Sequence, residues 1–522
     1  MAKFDKDMHK LTEEDLGPRS QDIQDPKKNI KKGFLWLGSS SIISQGLDTV
    51  SMLVVLMFLS KEELGLATIA IAFAAVTEVF CAISIAPAMV QDDKLTVGET
   101  HSLFWFSVIF GVVFFGVILV PLLFPIASFY ASATIIPLLL AGCIRNMFGS
   151  MRQVQTALLR RRLQYSVISS NDIIINIFSG CLKIALAFLG FGAWSLVMAN
   201  TLREVLTLIL YSISSRYMPA LHFNITECKR FVVFGLKNTG AALLVSLNKN
   251  LHYFIVGKVF GVSELAVYRV AYEVATTSPV ALLNVVNSSS FPIFSRFKSD
   301  RSKLTSLFLW NVGSLAFLTI IPIVFIAFCS EDIFSLINQG VWMEAVVLLP
   351  FILGYAFLKS IAQTFPGLYR ACGAPGYIFN ITALETILTA AAFALALSCC
   401  HVLALNYMVS FQVLFCVWIA VFLPLFYVHK RLSDKFIEIS FASLLRSVFG
   451  PLLFFLVSAG VSVVPWLFRD ALPFKPWLHF GIEVVILLIC LAVYFKWIRK
   501  SFKDITAADA ENSIDRYNTS AI

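Results

Sequence analysis

Charge is what this sequence has least of. Only 14% of its 522 residues are Asp, Glu, Lys or Arg, against 58% that are hydrophobic, whereas soluble chains carry about 25% charged residues. So few charges do not cover a globular surface, which argues against a cytosolic enzyme or a secreted binding module. Patterns that hold catalytic chemistry are missing as well. There is no nucleophile elbow, no His-Glu-x-x-His helix, no glycine-rich phosphate loop and no nucleotide-hydrolysing domain. The ten cysteines show neither metal-ligand spacing nor a pairing pattern. Cys81, Cys143, Cys181, Cys416 and Cys490 sit inside apolar runs and read as reduced, small core hydrophobes. The first thirty residues lack the apolar core and cleavage site of a signal peptide and read as a soluble tail. No enzymatic activity and no cofactor are expected.

Apolar runs of membrane-crossing length are what remains. At about 20 residues per span, hydropathy predicts an all-α polytopic membrane protein with helices near 33–59, 64–90, 102–122, 126–148, 166–189 and 192–214. A second set follows near 233–259, 264–290, 304–328, 342–365, 377–397 and 402–427, then a last pair near 444–466 and 477–496. That is about fourteen spans. The implied organisation is a cytoplasmic tail (1–32), a first lobe of six helices (33–230), a second lobe of six (231–430), two additional helices (431–498) and a C-terminal tail (499–522). With both termini inside, the tails and even-numbered loops hold about 30 of the 41 Lys and Arg residues and the odd-numbered loops about four, the bias that marks a cytoplasmic side. The net charge of +9 is therefore an orientation signal, not a nucleic-acid signal, and the expected location is the plasma (bacterial inner) membrane.

A weak internal repeat joins the first helix pair to the seventh and eighth at an offset of 201 residues. The segment from Leu47 through Glu63-Leu64-Gly65 aligns without gaps to Asn248 through Glu264-Leu265-Ala266. Six spans is an even number, so both copies share one orientation, as in transporters built from parallel halves.

These residues also carry a resemblance. "LSKEELGLATIAIAF" with "PAMVQ", "QTALLRRRLQYS", "FGLKNTGAALLVSLNKNLHYFIVGKVFGVSELAVYRVAYEVA" and "FPIFSRFKSD", in this order and spacing, resemble the polysaccharide-transporter branch of the MOP superfamily. Within it the chain is most similar to lipid-linked oligosaccharide flippases of the colanic-acid-exporter type, from about Gly33 to Phe480. The resemblance implies two six-helix lobes around a central cavity, rocking to give alternating access. It also implies a polyprenyl-pyrophosphate-linked sugar as substrate, and polysaccharide polymerases or assembly proteins as partners beside the bilayer itself.

An ionisable side chain inside a span is expensive and needs a partner or a wet cavity. Arg145, Lys183, Arg203, Lys237, Lys249, Arg269 and Lys359 fall inside the predicted spans, as do Asp48, Glu78, Asp172, Glu204, Glu273, Glu344, Glu385 and Glu483. Arg145, Arg203 and Lys359 read as lying near helix ends, within reach of the interface. Arg269 and Glu273, four residues apart, are placed to neutralise each other. Asp48 and Lys249 are equivalent in the repeat, so facing lobes would present opposite charges at one depth. The expected cavity is cationic. Lys237, Lys249 and Arg269 would hold a pyrophosphate, Asn250, Tyr253 and Tyr272 would meet sugar, and Asp48, Glu78 and Glu273 would serve ion coupling or gating. The rival expectations are a MATE-type drug or cation antiporter, which would favour an acidic cavity, and a membrane-embedded polysaccharide polymerase or ligase, which would need long outward loops.

Overall fold

The computed structural model describes residues 16–17, 26–92, 94–130, 134–467, 480–494 and 496–497, and most of the two tails predicted at 1–32 and 499–522 lies outside them. Among the described residues all regular structure is helical. The order begins α1 (Pro26–Val55), α2 (Lys61–Ala82), α3 (Ile85–Gln91), α4 (Val97–Val113), a π-helical stretch (Phe114–Leu119), α5 (Val120–Phe129), α6 (Ile135–Met151), α7 (Gln153–Arg161), α8 (Tyr165–Phe188) and α9 (Ala193–Ser215). It continues with α10 (Ile225–Val259), α11 (Val262–Arg296), α12 (Arg301–Leu336), α13 (Met343–Ala362), α14 (Phe365–Ala371), α15 (Gly376–Val402), α16 (Tyr407–Ser433) and α17 (Phe441–Leu467). An apolar helix α18 (Phe480–Tyr494) follows. Nine described helical segments are long and apolar enough to cross a membrane, ten if the bent α10 counts as one span.

Short turns separate α1 from α2, α8 from α9 and α10 from α11. Ser60 caps α2 reciprocally: its Oγ accepts the Glu63 N–H at 3.3 Å while Glu63 Oε2 accepts the Ser60 N–H at 2.8 Å. Glu63 therefore satisfies an orphan donor besides complementing the helix dipole. Gly261 turns the chain at φ 108°, a left-handed conformation that costs a side chain dearly.

Two boundaries differ from the sequence reading. The break placed between 122 and 126 is absent, and helical backbone runs from Val97 to Phe129. Pro121 falls in the first turn of α5, directly after the π-helical stretch, where a missing N–H is best tolerated, and Pro125 lies inside α5. Conversely, the second span, predicted as one helix over 64–90, is broken ahead of Pro87. Ile83 and Ser84 both take positive φ (39° and 42°) and separate α2 from α3.

The chain divides into two compact units, Met1–Arg269 with Thr382–Ala390, and Val270–Ile381 with Ala391–Ile522. In lipid, helices gain little by burying apolar surface against one another, so close backbone approach and polar contacts must hold each unit together. In the first unit α1 packs on α8, α2 on α6, and α10 along α2. Glycines seat α10 and the start of α11 on the second span. A Cβ on Gly235 would overlap the Ile83 carbonyl oxygen, and one on Gly65 the Val262 carbonyl oxygen. Between them Ser246 Oγ donates to Ala75 O at 3.0 Å. Arg269 Nη1 donates to Thr68 Oγ1 at 3.0 Å. Those two residues are 201 apart, the offset of the sequence repeat, so equivalent positions of the two copies touch.

In the second unit α12 packs on α13 and α17. It is buried on all sides, as expected of a helix with no polar face, with Leu304, Phe308, Val312 and Ala316 fully inside. Phe294, Phe308, Phe365 and Tyr369 fill one core. Phe317 on α12 meets Phe454 on α17 with ring centroids 4.4 Å apart and Tyr494 on α18 at 5.4 Å.

Candidate functional site

Two polar stripes face each other in the first unit. On α1, Ser40, Ser44, Asp48 and Ser51 are spaced by four, four and three residues, and on α8 Asp172, Asn176, Gly180 and Lys183 repeat that spacing. Such intervals keep side chains on one helix face. Gly180 lets the helices close, since a Cβ there would lie 3.3 Å from Ser51 Cβ. One turn on, this approach carries Lys183 onto Asp48, and Lys183 Nζ donates a short hydrogen bond to Asp48 Oδ1. Lys183 is 5% exposed, so its ammonium has exchanged water for one carboxylate.

Beside this pair opens a polar cavity of about 480 Å³, lined by Ser40, Ser44 and Asp48 of the α1 stripe, by Asp172 and Asn176 of α8 and by Arg203 of α9. Asp172 accepts a hydrogen bond from Tyr211 Oη at 2.8 Å, and Asn176 Nδ2 donates to the Asp172 carbonyl at 2.7 Å. Ser44 Oγ is buried with no hydrogen-bond partner among the described residues, a group that an occupant would satisfy. Two carboxylates, Asp48 and Asp172, meet two cations, Lys183 and Arg203. The site is thus formally balanced, and its charge changes only when a proton or another ion enters or leaves. Arg203 sits in the middle of α9, in this cavity, not at an interface as the sequence reading had it.

Arg145 is likewise not a snorkelling residue. Its Nη2 lies 2.6 Å from Glu78 Oε2, and Arg152 reaches Glu78 Oε1 at 3.9 Å and Glu204 Oε2 at 2.8 Å. This network of two acids and two bases ties α2, the α6–α7 junction and α9 together. Asn146 adds hydrogen bonds to Ala74 O and Thr77 Oγ1, both at 3.0 Å. Glu78→Gln would take the carboxylate from Arg145 and leave Arg152 with Glu204. The expected loss is about 2 kcal/mol of stability, less than for a fully buried pair because Glu78 is partly exposed, read as a lower unfolding temperature of the purified protein.

The residues expected on the seventh and eighth spans are arranged as follows. Lys249 is exposed on α10, and the Lys237 side chain lies outside the described residues. Asn250 Nδ2 donates to Ser246 O at 2.8 Å. Tyr253 packs on His252 with centroids 4.1 Å apart, and His252 Nδ1 is 3.1 Å from Tyr268 Oη. Arg269 is 8% exposed and also lies within electrostatic range of Asp48. Tyr272 and Glu273 belong to the second unit. There Tyr272 stacks on Trp418 at 5.9 Å, and Tyr355 stacks on the same indole at 4.1 Å. Lys359, in the last turn of α13 as the sequence reading had it, donates to Tyr355 Oη at 2.9 Å and has no carboxylate partner among the described residues.

Sequence reasoning named Asp172, Lys183 and Arg203 as intramembrane charges without choosing them. The matched stripes of α1 and α8 were the signal that would have joined them to Asp48.

Comparison with known proteins follows from the fold. Residues 54–347 match the family described as polysaccharide biosynthesis protein. The teichuronic acid biosynthesis protein TuaB of Bacillus subtilis strain 168 is 25% identical over 267 residues, 50% of this chain and 54% of that protein, so the chain spans about half the length of this relative. The lipopolysaccharide biosynthesis protein WzxC of Escherichia coli strain K12 is 21% identical over 359 residues, 68% of this chain and 73% of that one. Among solved structures, the lipid II flippase MurJ in an inward closed conformation is similar with a TM-score of 0.64 at 14% identity, covering 88% of this chain and 99% of MurJ. At that identity the likeness is one of fold.

Proposed function

Because the chain belongs to the polysaccharide biosynthesis protein family, we propose that it is a transporter, not an enzyme, that flips or exports lipid-linked oligosaccharide units across the plasma membrane. Its fourteen membrane helices, with both termini cytoplasmic, would form lobes 33–230 and 231–430 and an additional pair within 431–498. The lobes would expose the site alternately to each side. Relatives that act in teichuronic acid and lipopolysaccharide biosynthesis support this reading, as does the fold shared with a lipid II flippase.

The observation that carries it is a polar cavity with charges of both signs among helices that also expose apolar side chains. Val117, Phe124, Phe188, Leu395 and Phe449 are among the exposed apolar side chains that lipid would cover. A polyprenyl pyrophosphate carries charge that hydrocarbon penalises, and Arg203, Lys249, Arg269 and Lys237 are the cations assigned to offset it. Asn250, Tyr253 and Tyr272 are assigned to the sugar. Of the acids, Asp48 is the coupling group, with Asp172 as its neighbour. Glu78 is assigned to the clamp with Arg145 and Arg152, and Glu273 to gating. Polysaccharide polymerases or assembly proteins would receive the product.

A drug or cation antiporter is the second reading. It fits less well because Lys183 and Arg203 match every carboxylate of the cavity. Deleting the gene and identifying lipid-linked intermediates by mass spectrometry tests the proposal. A polyprenyl-linked oligosaccharide accumulating inside the cell is the expected result, and its absence would sink the reading.

A further inference from the structure

Ahead of α1 the described residues are Leu16 and Gly17, and the contact that Leu16 makes is built like a latch. Leu16 is 3% exposed, buried in a cluster with Met89, Val154, Leu158, Cys228 and Phe231. Its carbonyl accepts a hydrogen bond from Arg161 Nε at 2.9 Å. An apolar socket and a guanidinium thus grip one residue by its side chain and its backbone at once.

The guanidinium does more than hold the tail. Arg161 Nη1 donates to Met89 O at 2.6 Å and to Asp92 O, closing the C-terminal end of α3 where helix carbonyls lack intrahelical partners. The Asp92 carboxylate in turn lies 3.3 Å from Arg230 Nη2, which also reaches Glu99 Oε1 at 2.8 Å. Arg230 stands in the first turns of α10, next to Phe231, whose side chain helps to form the Leu16 socket. One continuous set of contacts therefore runs from the tail through Arg161 and Asp92 to the end of α10, and the leucine sits where α3, α7 and α10 meet. Glu227 strengthens the same end, accepting from Ser102 Oγ at 2.7 Å.

We propose that Leu16–Gly17 is an in-cis latch. Docked, it holds this end of α10 against α3 and α7; undocked, it lets that end move away. In the proposed topology this is the cytoplasmic face, so whatever engages the tail would set how readily that face opens. That consequence for transport rests on the alternating-access reading. The latch itself does not, and its test uses no substrate, so the two can fail separately.

Lys94 and Lys229 are exposed on either side of the contact. Lys94→Cys and Lys229→Cys, introduced together with the ten native cysteines replaced, accept a pair of spin labels. Double electron–electron resonance in lipid nanodiscs then reads the distance between them. With the tail intact, one short distance should dominate. In Leu16→Glu, and in a chain beginning at Pro18, that population should fall about tenfold, the shift expected when a buried leucine loses its socket. A synthetic peptide of residues 8–20 added to the truncated chain should bring it back. A distribution that stays the same with the tail intact, altered or removed overturns the latch, and so does a widening that the peptide leaves in place.

Discussion

Asp48→Asn is expected to cost about 3 kcal/mol of stability, and Lys183→Met only about 1 kcal/mol, although both break the same ion pair. The asymmetry comes from exposure. Lys183 has 7% of its side chain exposed and Asp48 48%, so a stranded ammonium has nowhere to find water, whereas a stranded carboxylate still faces the polar cavity. Combining the two substitutions removes both charges and should recover stability to within about 1 kcal/mol of the starting protein. Transport should behave differently. If Asp48 is the coupling group, the double variant remains folded yet exports at least about tenfold more slowly, a loss of about 1.4 kcal/mol in the transition state. Thermal unfolding in detergent and recovery of surface polysaccharide in a deletion strain give the two readouts. A stable double variant that exports normally would reduce the pair to a structural tie between α1 and α8.

The second large effect is steric. Gly235→Ala places a methyl group where the Ile83 carbonyl oxygen already is, with backbone on both sides of the clash. Neither helix can yield by a side-chain rotation, so α10 must shift away from the break between α2 and α3. A loss of about 3 kcal/mol is expected, at the upper end of overpacking. Gly240→Ala on the same helix, where a Cβ meets nothing, should be neutral or slightly stabilising through helix propensity. The pair of variants separates packing from any general intolerance of α10. Equal unfolding temperatures for the two would remove the close approach as a stabilising feature.

Much of this was legible beforehand, for a physical reason. Apolar runs, tight turns and the Glu-Leu-small repeat are local, and a bilayer forces local hydrophobicity to declare itself as a helix. The π-helical stretch ahead of Pro121 and Pro125 was hidden because proline at those positions suits a helix start or a bend equally well. The Ile83–Ser84 break had a local signal in Pro87, which cannot donate to the Ile83 carbonyl, but the close approach of Gly235 to that carbonyl is long-range. The site was half legible for a similar reason. Periodicity shows which face of α1 or α8 is polar, but which face meets which depends on Gly180 opposite Ser51, a long-range fact. Asp48 was therefore matched with Lys249 through the repeat, while the structure gives it Lys183, and the repeat surfaces instead as the contact between Thr68 and Arg269.

One feature of the fold reaches beyond the protein. The unbroken helical path from Val97 to Phe129 has 33 residues, about 50 Å at 1.5 Å per residue, whereas a bilayer's hydrocarbon is about 30 Å thick. Such a segment fits by leaning, by curving or by extending past the hydrocarbon at its ends, and the π-helical stretch lies near its mid-length. The angle it adopts then depends on the acyl chains around it. Lipid composition becomes a setting of the machine, and a thinner or thicker host membrane should retune it without any change in sequence.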